Sequence, residues 1–113
     1  MRPIVVATTD ASGGATSSPI VAIDTWTDPV NVAVAVVVTG TVNFTTQYTY
    51  DDISAPTFSV ATATWFPLAA LTAKIATTEG FITQPVTAVR TVQNSGNGST
   101  LTTVLQAGGN GSW

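Results

Sequence analysis

The chain contains no histidine and no cysteine, so any chemistry must be sought among six carboxylates: Asp10, Asp24, Asp28, Asp51, Asp52 and Glu79. Without imidazole or thiol, no Ser-His-Asp or Cys-His arrangement can be built, and zinc has no nitrogen or sulfur ligand. Two carboxylates can hydrolyse a glycosidic bond when they face each other across it. Asp51 and Asp52 are the one adjacent pair, and adjacent residues of an extended chain point to opposite sides. They also stand where an alternating segment gives way to a loop, the ordinary place for a solvated aspartate. Calcium would find two carboxylates there but no EF-hand spacing. The expectation is an enzyme's absence: no catalytic residue, no metal site and no cofactor.

Other side chains could bind without reacting. Trp26, Trp65 and Trp113, with Tyr48 and Tyr50, could stack on a sugar. Tyr48 and Tyr50, however, share a face with Phe44, which reads as core, since aromatic side chains mostly bury themselves. Arg90 lies among Val86, Ala88 and Val92 on one face of an extended segment. An arginine so placed either keeps its head at a rim or pairs with a carboxylate, a structural role suited to an interface. The triplets Asn43-Phe44-Thr45, Asn97-Gly98-Ser99 and Asn110-Gly111-Ser112 match the glycosylation acceptor, as chance provides in a chain so rich in Thr and Ser.

The 113 residues suffice for one domain with a real core. Only 8% of them are charged, against roughly 25% in an ordinary soluble domain. With three Lys and Arg and a net charge of −3, no basic patch is available for nucleic acid, and anionic membranes are disfavoured. The longest clearly apolar run, residues 32–38, is far short of the roughly 20 needed to span a bilayer. The start, Met1-Arg2-Pro3-Ile4-Val5-Val6, lacks the apolar stretch of a secretory signal, so synthesis in a cytoplasm is expected. Sheet edges with so little lysine to guard them imply surfaces covered in use. A homo-oligomer, dimer or trimer, is therefore expected.

Period-two patterning predicts the elements. Residues 3–8 and 20–26 read as strands flanking a Gly/Ser-rich loop, residues 10–18. Residues 30–38 place Val30, Val32, Val34, Val36 and Val38 on one face, with the weakly apolar Asn31, Ala33, Ala35 and Val37 on the other, which is expected to be covered too. Residues 41–50 set Val42, Phe44, Thr46, Tyr48 and Tyr50 against Thr41, Asn43, Thr45, Gln47 and Thr49. Separated by Thr39-Gly40, these two strands predict a hairpin. Residues 61–67 alternate until Pro67. Residues 68–75 predict irregular chain with a single helical turn, and Thr78-Glu79-Gly80 a turn. Residues 86–93 and 99–106 predict a last hairpin around Asn94-Ser95-Gly96-Asn97-Gly98. The sum is a single all-β domain over residues 1–113, an antiparallel jelly-roll-like β-sandwich of seven or eight strands, with an N-terminal arm over about 1–18 and a Gly-rich tail over 108–113.

The segments running from Val30-Asn31-Val32-Ala33-Val34 through Thr39-Gly40-Thr41-Val42 to Tyr48-Thr49-Tyr50-Asp51-Asp52, and from Pro85-Val86-Thr87-Ala88-Val89-Arg90 through Gly98-Ser99-Thr100-Leu101 to Leu105-Gln106-Ala107-Gly108, with Ala61-Thr62-Ala63-Thr64-Trp65-Phe66 between them, resemble small virion proteins of tailed bacteriophages. In size and all-β character the chain is most similar to the capsid decoration, or cement, proteins of short-tailed phages. The resemblance implies a non-enzymatic role on the outer capsid surface, with the major capsid protein or other virion proteins as partner, clamping neighbouring subunits. The interface residues expected for that role are Thr41, Asn43, Thr45, Gln47, Thr49, Arg90 and Trp113, with the N-terminal strand and the tail as arms. A tail, neck or fibre-base component is the neighbouring expectation. A carbohydrate-binding module is the one from another class.

Overall fold

Alternating Val, Thr and Ala suit a pleated surface, and strands form wherever that alternation persists. The computed structural model describes residues 3–9, 11, 13–23 and 31–106. Its strands are β1 (Ile4–Thr9), β2 (Thr16–Ser17), β3 (Val21–Ala22), β4 (Val32–Thr39), β5 (Asn43–Thr49), β6 (Trp65–Pro67), β7 (Thr78–Ile82), β8 (Ala88–Ser95) and β9 (Ser99–Gln106). Every pairing is antiparallel. One sheet, sheet A, has the order β1-β9-β4-β7. The other, sheet B, has the order β2-β8-β5-β6, with β3 also on β8. Counting β2 and β3 as one interrupted strand leaves eight, and their order across two sheets is that of a jelly roll. The expected all-β antiparallel sandwich is the fold observed.

The pairing within it differs from the sequence reading in two places. β4 and β5 do not form a hairpin: β4 pairs with β7 and β9, β5 with β6 and β8. β8 and β9 likewise lie in opposite sheets. Residues 39–42 and 96–98 are corners that carry the chain between sheets, and they stack on each other. Gly98 N donates to Thr41 O at 2.9 Å. A Cβ on Gly96, whose φ is +99°, would collide with the Thr41 carbonyl, and one on Gly98 with the Thr39 carbonyl. Glycine is required here by close backbone approach, although the same residues also suit a hairpin turn.

Three further segments depart from expectation. Thr78-Glu79-Gly80 opens β7 rather than turning. Its glycine is there because a Cβ would press on Leu68 and Leu71 at 3.1 and 3.3 Å. Residues 4–9 are strand, as expected for residues 3–8, but they pair along the length of β9 within the sandwich rather than standing off as an arm. In residues 61–67 only β6 is strand. The single helical turn expected in residues 68–75 is the 3-10 turn Ala69–Leu71.

The core between the sheets has two halves. Val32, Val34, Phe44, Leu71, Ile82, Val86, Val89 and Val104 fill the apolar one, all at 2% exposure or less. Towards the stacked corners the core is polar, built from Thr8, Thr46, Thr91, Gln93, Thr100 and Thr102, all buried. Buried hydroxyls and amides are costly unless bonded, and here they are. Thr102 donates to Thr91 Oγ1 at 2.8 Å, and Thr91 shares a 2.9 Å bond with Thr46. Thr8 bonds Thr100 and donates to Gln93 Oε1 at 2.8 Å. The Gln93 amide donates to the carbonyls of Gly96 and Gly98, at 3.1 Å each, tying the polar half to the corner above it.

Candidate functional site

The outer face of sheet B carries most of the residues expected at an interface. Asn43, Thr45 and Gln47 point outward from β5 and are partly exposed, and Thr41 is exposed in the corner before it. The row is already engaged within the molecule. Asn94 Nδ2 donates to Asn43 Oδ1 at 2.9 Å and to Thr45 Oγ1 at 3.2 Å. Thr45 Oγ1 also accepts from Ala73 N at 3.0 Å, holding a non-glycine residue at φ +52°.

Arg90 sits opposite Gln47 in the register and donates from Nε to Gln47 Oε1 at 2.9 Å. Its guanidinium lies 4.2 Å from the Trp65 ring centroid. Its partners are thus an amide and an indole. The face holding Ala88, Arg90 and Val92 is the outer one, while Val89, Thr91 and Gln93 point into the core. Partial burial lowers the Arg90 pKa but leaves the guanidinium charged at neutral pH.

Thr49 is not available to a partner. It keeps the parity of Gln47 but is fully buried. The loop over residues 50–64 crosses it: Thr49 Oγ1 donates to Thr64 O at 2.8 Å and accepts from Asp51 N at 3.1 Å. Trp65 Nε1 donates to Val60 O at 3.1 Å, so this tryptophan anchors the same loop. Trp113, like Trp26, lies outside the described residues.

The aspartate pair belongs to that loop. Asp51 Oδ2 accepts from Thr64 N at 2.8 Å, and Asp52 Oδ1 accepts from Ser54 N at 3.0 Å. Both line a cleft of about 300 Å³ with Phe58, Ser59 and Thr62. Asp52 closes a turn, a standard use of aspartate in loops, and Asp51 ties the two ends of the loop together. Among the described residues, no three His, Cys, Asp or Glu side chains gather.

Tyr48 and Tyr50, expected in the core, form with Phe66 an aromatic cluster at its rim. Ring centroids are 5.5 to 5.9 Å apart, and Tyr50 is 50% exposed. Desolvation, and then the neighbouring Tyr50, raise the Tyr48 pKa above 10.0.

The surface that sequence reasoning did not single out is the outer face of sheet A. Across it run Val5 and Ala7 of β1, Leu101, Thr103 and Leu105 of β9, Ala33, Ala35 and Val37 of β4, and Glu79 and Phe81 of β7. Val5, Val37, Leu101, Leu105 and Phe81 are all exposed, Phe81 at 59%. Glu79 is the one charged side chain in this set. The signal was present in the weakly apolar odd positions of β4, but finding the whole face requires knowing which strands flank it. No family model, no curated protein and no solved structure matches this chain.

Proposed function

We propose that this chain is a non-enzymatic structural protein of a bacteriophage virion, a capsid decoration protein that binds the outer shell and clamps neighbouring capsid subunits. The observation that carries the reading is the outer face of sheet A, a broad apolar surface with a single carboxylate on a rigid two-sheet scaffold. Exposed apolar patches of this extent mark interaction sites. The carboxylates of the described residues hold one loop together or stand isolated on a sheet face, so the side chains fit holding better than reacting. Small, charge-poor contacts become strong when repeated over a lattice, where each bound copy raises the effective concentration of the next contact. The jelly-roll order adds support by fold analogy alone, since that architecture serves both capsid and lectin domains.

The test is the molar ratio of this chain to the major shell protein in purified particles, by quantitative mass spectrometry. A ratio near a simple fraction of one is expected. A ratio of a few per cent would move the protein to the tail, neck or fibre base. Absence from particles would end the virion reading. The half-exposed Tyr48–Tyr50–Phe66 cluster favours one second reading, sugar binding by aromatic stacking. Glycan binding abolished by Tyr50→Ala would establish it.

A further inference from the structure

We infer that the outer face of sheet A binds a second copy of this chain, about a two-fold axis that runs parallel to the strands between β9 and β4. This pairing rests on the proposed structural role only in taking this face as a binding surface, and it gives the face to the contact between copies, so the shell is met by other surfaces of the dimer.

On β9 the outward residues include two large ones, Leu101 and Leu105, while on the adjacent β4 they are Ala33, Ala35 and Val37. In register, Leu105 stands beside Ala33, Thr103 beside Ala35 and Leu101 beside Val37. Large and small rows thus lie side by side rather than mixed. A two-fold interface brings the same patch together from both subunits, so the patch must complement itself. Rotating one copy by 180° about a line parallel to the strands, above the β9–β4 seam, keeps each residue's height along the strand. It lays each β9 over the partner's β4 and each β7 over the partner's β1.

Leu105 then meets the partner's Ala33, and Leu101 the partner's Val37. Ala33, with Asn31, Phe81 and Leu105, lines an open notch of about 220 Å³, which receives the incoming leucine. A two-fold axis across the strands does the opposite. It stacks β9 on β9 and β4 on β4, large on large and small on small.

Charge selects the same axis. Glu79 pairs with Ala35 in the register, at the height of Thr103 and Val5. An axis across the strands at that height places two Glu79 carboxylates face to face. The axis along the strands places each Glu79 over the partner's Val5, on an edge strand where water still reaches the carboxylate. Like charges desolvated together would oppose association.

The area suits a weak, reversible dimer. β4 and β9 have eight residues each, β1 six and β7 five. At about 3.3 Å per residue and about 4.8 Å between strands the face presents roughly 430 Å² per copy. Two copies then bury roughly 850 Å², the size of a small, transient interface.

The test is sedimentation equilibrium of the full chain across the micromolar range, with circular dichroism as the control for folding. Wild type is expected at twice 11.6 kDa. Leu105→Asp and Ala33→Arg, both outward-facing, are each expected to be folded monomers. An equimolar mixture of the two is expected to recover the dimer, because only the strand-parallel axis sets the new carboxylate over the new guanidinium. Wild type remaining monomeric, or both variants remaining dimeric, would overturn the face. Failure of the mixture to associate would overturn the axis. If a chain ending at Gln106 dimerises while the full chain does not, residues 107–113 are the occupant and the inference is wrong. None of these outcomes bears on the ratio measured in particles, so the two readings fail separately.

Discussion

Replacing Thr91 with valine tests the polar half of the core most directly. Valine matches threonine in shape, so the change removes one oxygen and little else. That oxygen accepts from Thr102 and bonds Thr46, and all three residues are buried at 1% exposure or less. Two hydrogen bonds disappear, each with a net value near 1 kcal/mol, and the stranded hydroxyls of Thr46 and Thr102 keep part of their desolvation cost. The extra methyl recovers some apolar burial, on the order of 1 kcal/mol. The expected loss is about 2–3 kcal/mol, seen in urea as a lower midpoint at unchanged slope and on heating as a fall of roughly 10 °C. The triple replacement Thr46→Val, Thr91→Val, Thr102→Val removes every partner together and should recover most of that loss, because no orphaned hydroxyl remains in this cluster. Thr91→Val at full stability, or a triple variant less stable than the single one, would refute the view that satisfaction of these hydroxyls keeps threonine in the core.

Three other outcomes are expected. Gly96→Ala should cost about 2 kcal/mol or more by denaturant titration, from the positive φ and the collision with the Thr41 carbonyl. Tyr48 has a folded-state pKa raised above 10.0, so the stability it contributes is complete below that pH and is lost as pH rises through the folded value; Tyr48→Phe should flatten the alkaline limb of stability against pH. Arg90→Ala should cost about 1 kcal/mol through loss of the stacking on Trp65 and the bond to Gln47, with a matching change in tryptophan fluorescence.

Much of the fold could be read from alternation. The buried row Val32, Val34 and Val36 and the first half of β5 stand where period two placed them. Strand partnership could not be read, because residues 39–42 and 96–98 have the glycines of hairpin turns and yet act as corners. Nothing local separates the two, since the decision rests on which distant strand takes the free hydrogen-bonding edge. Threonine misled for a related reason. On a solvent face and in a satisfied network it looks the same in sequence, and only the apposition of β5, β8 and β9 supplies the partners. Thr49 shows the limit of parity: its outward direction was correct, but a loop returning over it decides its exposure. The apolar outer face of sheet A was visible only as fragments on β1, β4, β7 and β9 until their order joined them.

The neighbouring positions of β1 and β9 carry a mechanical consequence. They run antiparallel, with Ile4 opposite Val104 and Thr9 opposite Ser99, so the chain enters β1 and leaves β9 at the same end of the sandwich. Tension applied between those two points opens their hydrogen bonds one after another, like a zip, and needs little force at any moment. Force spread over the broad faces must instead displace many side chains together. A protein with this topology resists stretching when gripped by its faces and yields when pulled by its ends, so any load it bears in an assembly has to enter through the sheets.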